Sequence, residues 1–152
     1  KAEEFQNIRN IKIIQDEYKK VGPLGGIHAA MKKSSNPAIF VFAGDMPFIL
    51  KDLIIRQIES YKKTPCDVLI PRMDSYDEPL HAIYSLASFI KLDYYLLTTR
   101  EYAIKDFLCK VEVNYLHLDD IAVHRRVFTN INTPRDLSDA ETFLQENSSQ
   151  NF

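Results

Sequence analysis

The sequence predicts an α/β fold: a three-layer α/β/α sandwich around a mostly parallel sheet. Two observations predict it. Short apolar runs alternate with segments of helical spacing along nearly the whole chain, and one run, Ala38-Ile39-Phe40-Val41-Phe42-Ala43, is apolar at every position. The 152 residues are enough for one domain with a core, read as 1–146 with 147–152 as a disordered tail. Hydrophobic residues at 45% and charged residues at 26% fit a globular chain rather than a disordered one.

Lys12 to Ile14 reads as a short first strand that ends at Gln15-Asp16. The cluster Gly22-Pro23-Leu24-Gly25-Gly26 opens a helix, because Ile27, Ala30 and Met31 follow at helical spacing. The unbroken apolar run Ala38–Ala43 implies a central strand covered on both faces. Leu50, Ile54, Ile58 and Tyr61 line one face of the next helix. Asp67 to Ile70 is a strand ended by Pro71, followed by a polar loop, Arg72 to Glu78, and an extended segment, Pro79 to Tyr84. Leu86, Phe89, Ile90, Tyr94 and Leu97 suit a helix, and Ile104, Phe107 and Leu108 a shorter one with Cys109 in the core. Val111 to Leu116 and Val127 to Thr129 are the last strands. Thr133-Pro134-Arg135-Asp136 starts a helix, with a hydroxyl at the N-cap, Pro at the first turn and a carboxylate near the positive end; Leu137, Ala140 and Leu144 are its buried stripe.

Charge narrows the function. Lys and Arg number 19 against 21 Asp and Glu, a net charge of -2, which argues against a nucleic-acid binder. The longest apolar stretch, Pro37 to Ala43, is far short of a membrane span. Cys66 and Cys109 are too few for a disulfide framework and too far apart for a CxxC pair, so the cytoplasm is the expected compartment.

Three features could carry chemistry. Asp45 follows the apolar strand, at the end where ligands bind in open α/β sheets. A lone carboxylate there suits Mg²⁺, which takes one or two carboxylates and fills its octahedron with water and phosphate oxygens; equally, Asp45 could cap the following helix. The glycine cluster could present backbone N–H groups to an anion, or it could simply make a tight turn. Asn130 and Asn132 alternate in an extended segment, so both amides could face one polar ligand, or serve turns and caps before Thr133. Glu78, at the start of a strand, could line a cleft or sit in a plain surface turn. His28, His117 and His124 are isolated, without zinc spacing, and no serine has a G-x-S-x-G context.

In this order the segments resemble the MobA family, the molybdenum cofactor guanylyltransferases. Gly22-Pro23-Leu24-Gly25-Gly26-Ile27 is similar to the family's G-P-L-x-G-[IL], and Gly44-Asp45-Met46-Pro47 to its C-D-M-P, with Gly44 where Cys is usual. Glu78-Pro79-Leu80-His81-Ala82-Ile83-Tyr84 resembles [EQ]-P-L-x-A-x-Y, and Phe128-Thr129-Asn130-Ile131-Asn132-Thr133-Pro134 resembles F-x-N-[IV]-N-T-P. The resemblance implies a Rossmann-like, nucleotide-diphospho-sugar-transferase-like fold. It also implies transfer of GMP from GTP to molybdopterin, with release of pyrophosphate and a requirement for Mg²⁺. On that basis Asp45 is the catalytic residue and ligand of Mg²⁺ and GTP, while Asp16, Gly22, Leu24 and Gly25 contact the nucleotide. Glu78, Asn130 and Asn132 are then on the side of the molybdenum cofactor, and molybdoenzyme-maturation proteins are implied partners. A related cytidylyltransferase and a non-catalytic binding protein of the same fold are the alternatives.

The family's opening L-x-G-G-x-S-x-R-M-G-x-x-K, whose backbone and lysine hold the triphosphate, does not occur in the sequence. The resemblance begins after that signature, so the front of the domain is expected to be missing. A triphosphate needs cationic groups and N–H donors along its length. Residues 1–152 alone are therefore expected to bind GTP weakly; isothermal titration giving a micromolar Kd would refute this.

Overall fold

A computed structural model describes residues 11–118 and 126–148, with side chains to Gln145. The elements are α1 (Pro23–Lys33), β1 (Ala38–Phe42), α2 (Lys51–Lys63), β2 (Val68–Met73), β3 (Tyr76–Asp77) and β4 (His81–Ser85). After a 3₁₀ turn at Leu86–Ser88 come α3 (Phe89–Thr98), α4 (Ile104–Leu108), β5 (Val113–His117) and α5 (Pro134–Ser148). The α/β class holds. The strands form one sheet in the order β1-β4-β2-β3, with β5 also paired to β2.

The sheet is mixed. Ala43 N–H donates to Leu80 O and Leu86 N–H to Pro37 O, both at 2.8 Å, so β4 runs against β1. Ser85 N–H to Asp67 O at 2.8 Å and Glu78 N–H to Pro71 O at 3.3 Å show β4 running against β2 as well. Val68 N–H to Glu112 O and Leu118 N–H to Arg72 O, both 3.0 Å, advance together, so β5 is parallel to β2. The expected polar loop Arg72–Glu78 is instead a hairpin: Arg72 pairs with Asp77 and Met73 with Tyr76, around a turn in which Asp74 takes φ 54°. Arg72 grips Asp77 through two hydrogen bonds of 2.6 and 2.7 Å while its guanidinium lies 3.4 Å from the Tyr115 ring centroid.

The chain divides into two compact units, Lys1–Ile39 with Cys66–Val68 and Tyr84–Val113, and Phe40–Pro65 with Leu69–Ile83 and Asn114–Phe152. In the first, Leu24, Ile27 and Met31 of α1, Leu92 and Leu96 of α3 and Phe107 of α4 are buried. In the second, Leu53, Met73, Leu118, Val127 and Phe128 form a core cluster with Leu50 and Leu116 against it.

Several expectations are corrected. Lys12–Ile14 is not a strand; no described strand pairs with it, and Ile11 and Ile13 are exposed. β1 is not the expected central strand covered on both faces: every residue of it is half-buried, and among the described residues it pairs on one side, with β4. β2 runs on through Pro71, which lacks only a donor; its carbonyl still accepts from Glu78. The buried residues of α2 are Leu53 and Gln57, and Ile58 is exposed. On α3 two apolar stripes satisfy the same spacing. The one containing Leu92, Tyr95 and Leu96 is buried, with the Tyr95 hydroxyl satisfied by Glu101 O at 2.8 Å, whereas Ile90, Tyr94 and Leu97 are exposed. Cys109 is exposed, one residue past the end of α4. Arg126 and Val127 are helical and Phe128 lies in a turn, so Val127–Thr129 is no strand. Ala140 is buried on α5, but Leu137 and Leu144 are half exposed. His124 lies outside the described residues.

Of the two glycine-bearing turns, the structure requires glycine in the one that opens α1 and not at Gly44. Gly22, the N-cap of α1, takes φ 63°, a conformation side chains resist, and Pro23 starts the helix. A Cβ on Gly25 would lie 3.0 Å from Asp16 Oδ2, Tyr18 O and Val21 Cγ2, whereas one on Gly44 would meet nothing within 4 Å. Gly25→Ala is therefore expected to cost about 1–3 kcal/mol in urea unfolding, and Gly44→Ala less than about 0.5 kcal/mol.

His81 is 1% exposed. Its ring meets the edges or faces of Phe40, Phe42 and Phe128 at centroid distances of 5.4, 4.9 and 5.5 Å. Neither ring nitrogen has a hydrogen-bond partner among the described residues, although the His81 carbonyl accepts from Gln57 Nε2 at 2.9 Å. Burial holds the imidazole below its usual pKa. Above about pH 6.5 the ring is neutral folded or unfolded; below that, the unfolded chain takes up a proton that the folded chain refuses. Stability should fall as pH drops from about 6.5 toward the lowered folded value. The urea midpoint is expected to fall more between pH 7.5 and 5.5 for the wild type than for His81→Leu; equal falls would exclude the effect.

Candidate functional site

Asp45 stands where β1 gives way to a turn. The turn is held from both sides: Ala43 N–H donates to Leu80 O at 2.8 Å, and Ile131 N–H donates to the Asp45 carbonyl at 2.8 Å. Met46, buried, closes the turn with its N–H on Ala43 O at 3.3 Å. The Asp45 side chain is half-buried, and its carboxylate has no hydrogen-bond or ion-pair partner among the described residues. It does not cap α2, whose N-cap is Leu50, without any side-chain cap bond. Among the described residues no three His, Cys, Asp or Glu side chains converge on a metal position. A single unengaged carboxylate nevertheless fits Mg²⁺, which demands oxygen ligands but few of them from protein.

The segment that bonds to the Asp45 carbonyl carries the two asparagines. Asn130 and Asn132 are both exposed. Asn130, Thr129 and Ile131 line a cavity of about 290 Å³ with Phe48, Arg126 and Asp136. A larger cavity of about 520 Å³ adjoins through Phe48, Arg126 and Phe143, and Arg126 lies 3.6 Å from the Phe143 ring centroid. Asn132 works through its backbone: its N–H and that of Thr133 donate to Asp136 Oδ2 at 3.0 and 2.8 Å, and Asp136 N–H donates to Thr133 Oγ1 at 3.2 Å. This reciprocal cap fixes the start of α5 as the sequence predicts, and these donors hold the Asp136 carboxyl below its usual pKa.

Glu78 is buried, with both oxygens engaged locally: Oε2 accepts from the Tyr76 hydroxyl at 2.8 Å and Oε1 from Leu80 N–H at 3.0 Å. Burial, then the Glu78 carboxylate, pushes the Tyr76 hydroxyl up to about 12.

In the other unit, Asp16 sits in an irregular loop and comes together with the first turn of α1. The contact to Gly25 described above puts its carboxylate over that turn, and a Cβ on Gly26 would be 3.9 Å from Asp16 Oδ1. The helix start has no side-chain cap, so its first N–H groups and its dipole present a positive end. Leu24 is wholly buried, which leaves only its backbone available to a ligand. The structure thus assembles two groups, Asp16 with Gly22–Gly25 and Asp45 with Asn130–Ile131.

One network escaped sequence reasoning. His28 is not isolated: its Nε2 lies 2.9 Å from Asp93 Oδ1, the same oxygen that accepts from the Tyr18 hydroxyl at 2.8 Å. Asp93 lies 65 residues beyond His28, and nothing local marks it.

Residues 1–108 match the family described as MobA-like NTP transferase domain. A probable molybdenum cofactor guanylyltransferase of Natranaerobius thermophilus is 34% identical over 141 residues, which cover 89% of this chain and 68% of the relative. One from Thermococcus kodakarensis is 35% identical over 130 residues, covering 82% and 61%. The crystal structure of molybdopterin-guanine dinucleotide biosynthesis protein A from Archaeoglobus fulgidus superposes with a TM-score of 0.79 at 32% identity, over 95% of this chain and 74% of that one. A putative protein of Aquifex aeolicus shares the fold, at a TM-score of 0.69 and 22% identity. With its strand-end aspartate and glycine-started helix inside the matched span, the chain belongs to the MobA-like NTP transferase family.

Proposed function

We propose that the protein is a molybdenum cofactor guanylyltransferase, moving GMP from GTP to molybdopterin and releasing pyrophosphate. The observation that carries this reading is the Asp45 carboxylate, carried at the end of β1 on a turn whose backbone two hydrogen bonds hold, and without a partner among the described residues. The family and the names of its relatives supply the substrate classes.

The chemistry sets modest demands on side chains. A phosphate oxygen of the acceptor attacks the α-phosphorus of GTP in line, and the bond to the β-phosphate oxygen breaks. The acceptor phosphate is ionised at neutral pH, so no general base is required. Two anions must be brought together, which makes charge neutralisation and alignment the main tasks. Asp45 would hold Mg²⁺, which when bound neutralises charge on phosphate oxygens. The uncapped first turn of α1 offers the Gly22 and Leu24 N–H groups to the nucleotide, since Pro23 has none and Gly25 N–H is held by Gly22 O at 3.2 Å, with Asp16 beside them accepting hydrogen bonds from it. Asn130 and Asn132 offer amide donors and acceptors to the pterin side. Glu78 stays out of the contact set, because its oxygens brace the hairpin ahead of β4. No helix among the described residues is long and apolar enough to cross a membrane; the cytoplasm is the proposed compartment on the cofactor-biosynthesis names of the relatives alone.

The test is magnesium-dependent pyrophosphate release by the complete protein carrying this chain, with GTP and CTP in parallel. Release with GTP is expected, and release with CTP alone would move the protein to a cytidylyl branch. Asp45→Asn is expected to lower turnover by ~10²-fold or more, the scale of lost electrostatic stabilisation. Near-normal turnover at limiting Mg²⁺ would remove Asp45 from the mechanism.

A further inference from the structure

We propose that Asp93 is a positioning residue that fixes the Asp16 loop against the first turn of α1. Its consequence for nucleotide affinity rests on the function proposed above; the tether itself does not.

Residues 15–22 have no regular structure beyond bends and a turn, and Lys20 takes φ 64°. Such a segment keeps one shape only if something outside it holds it. Within the unit, one carboxylate oxygen does so. Asp93 Oδ1, on α3, accepts from the Tyr18 hydroxyl at 2.8 Å and from His28 at 2.9 Å. An ionised carboxylate only accepts, so His28 Nε2 carries a hydrogen. Tyr18 belongs to the loop and His28 to α1, so both are referenced to the same atom.

The surrounding contacts leave the pair little freedom. The Tyr18 ring meets the His28 ring edge-on at 4.9 Å, and His28 stacks on Phe89 of α3 at 5.0 Å. The Tyr18 carbonyl lies 3.0 Å from where a Gly25 Cβ would stand, and the carboxylate of Asp16, two residues earlier, is equally close. Asp93, Tyr18, Asp16 and Gly25 therefore form one continuous chain of fixed positions. The exposed pair Lys32–Glu17 at 2.6 Å adds little to it.

A catalytic role for the cluster is excluded by the same facts. His28 is 1% exposed and cannot touch a substrate. The Tyr18 hydroxyl is pushed above its usual pKa by its bond to Asp93, the wrong direction for a nucleophile or base. The bond from Tyr18, followed by that from His28, holds Asp93 below the usual carboxyl range, so its charge persists at working pH.

Tyr18→Phe, Asp93→Ala and Asp93→Asn test this in the complete protein, by amide hydrogen exchange over residues 15–22 and by steady-state kinetics with GTP. Tyr18→Phe and Asp93→Ala are expected to speed exchange in that loop and to raise KM for GTP by about tenfold, the scale of a lost hydrogen bond to a charged group, with kcat nearly unchanged. Asp93→Asn restores an acceptor oxygen and should recover much of the loss. If Asp93→Ala does not fold, Tyr18→Phe alone decides. Unchanged loop exchange overturns the tether. Faster exchange with unchanged KM overturns its link to the nucleotide, and Asp16→Asn then separates the causes. A raised KM in Asp16→Asn leaves the nucleotide site standing without the tether's help, while an unmoved one removes Asp16 from that site.

Discussion

The hydrogen bonds flanking Asp45 are the constraint from which the candidate site follows. Ala43 N–H on Leu80 O ties the end of β1 to the start of β4, and Ile131 N–H on the Asp45 carbonyl ties the asparagine segment to the same turn. The backbone of Asp45 is thereby committed while its side chain is not. Because the turn is already held, engaging a cation would cost the rotamer freedom of the Asp45 side chain but no further ordering of its backbone.

Some of this was legible in the sequence, and the legible parts are local. Gly22-Pro23 at the start of α1 and Thr133-Pro134-Arg135-Asp136 at the start of α5 act within one turn of chain, so their chemistry is written in adjacent residues. The order of motifs was likewise enough to name the family. Helix faces were not legible where a helix carries two apolar stripes. On α3 the spacing of Ile90, Tyr94 and Leu97 is as regular as that of Leu92, Tyr95 and Leu96, and only tertiary packing chooses between them. The apolar continuity of β1 could not reveal that only one of its sides is paired among the described strands. Pro71 misled for a related reason: a proline ends a strand only where its missing donor is needed.

At the site, Asp45 was legible by its place after an apolar strand, and Asp16 by its closeness to the glycine cluster. Glu78 was legible as a motif residue but not as a buried brace, because its partners, Tyr76 and Leu80, depend on a hairpin that a polar stretch does not announce. The Tyr18–Asp93–His28 network was invisible, since its members are brought together only by the packing of α1 on α3.

The placement of β4 between β1 and β2 has a consequence for synthesis. Until the ribosome has delivered Ser85, both neighbours exist without the strand that joins them, and each offers an open row of amides and carbonyls to any other nascent chain. β4 closes the gap between β1 and β2, but β2 keeps its other edge open until β5 follows, so the stretch in which a chaperone would matter runs from the emergence of Met73 to that of His117.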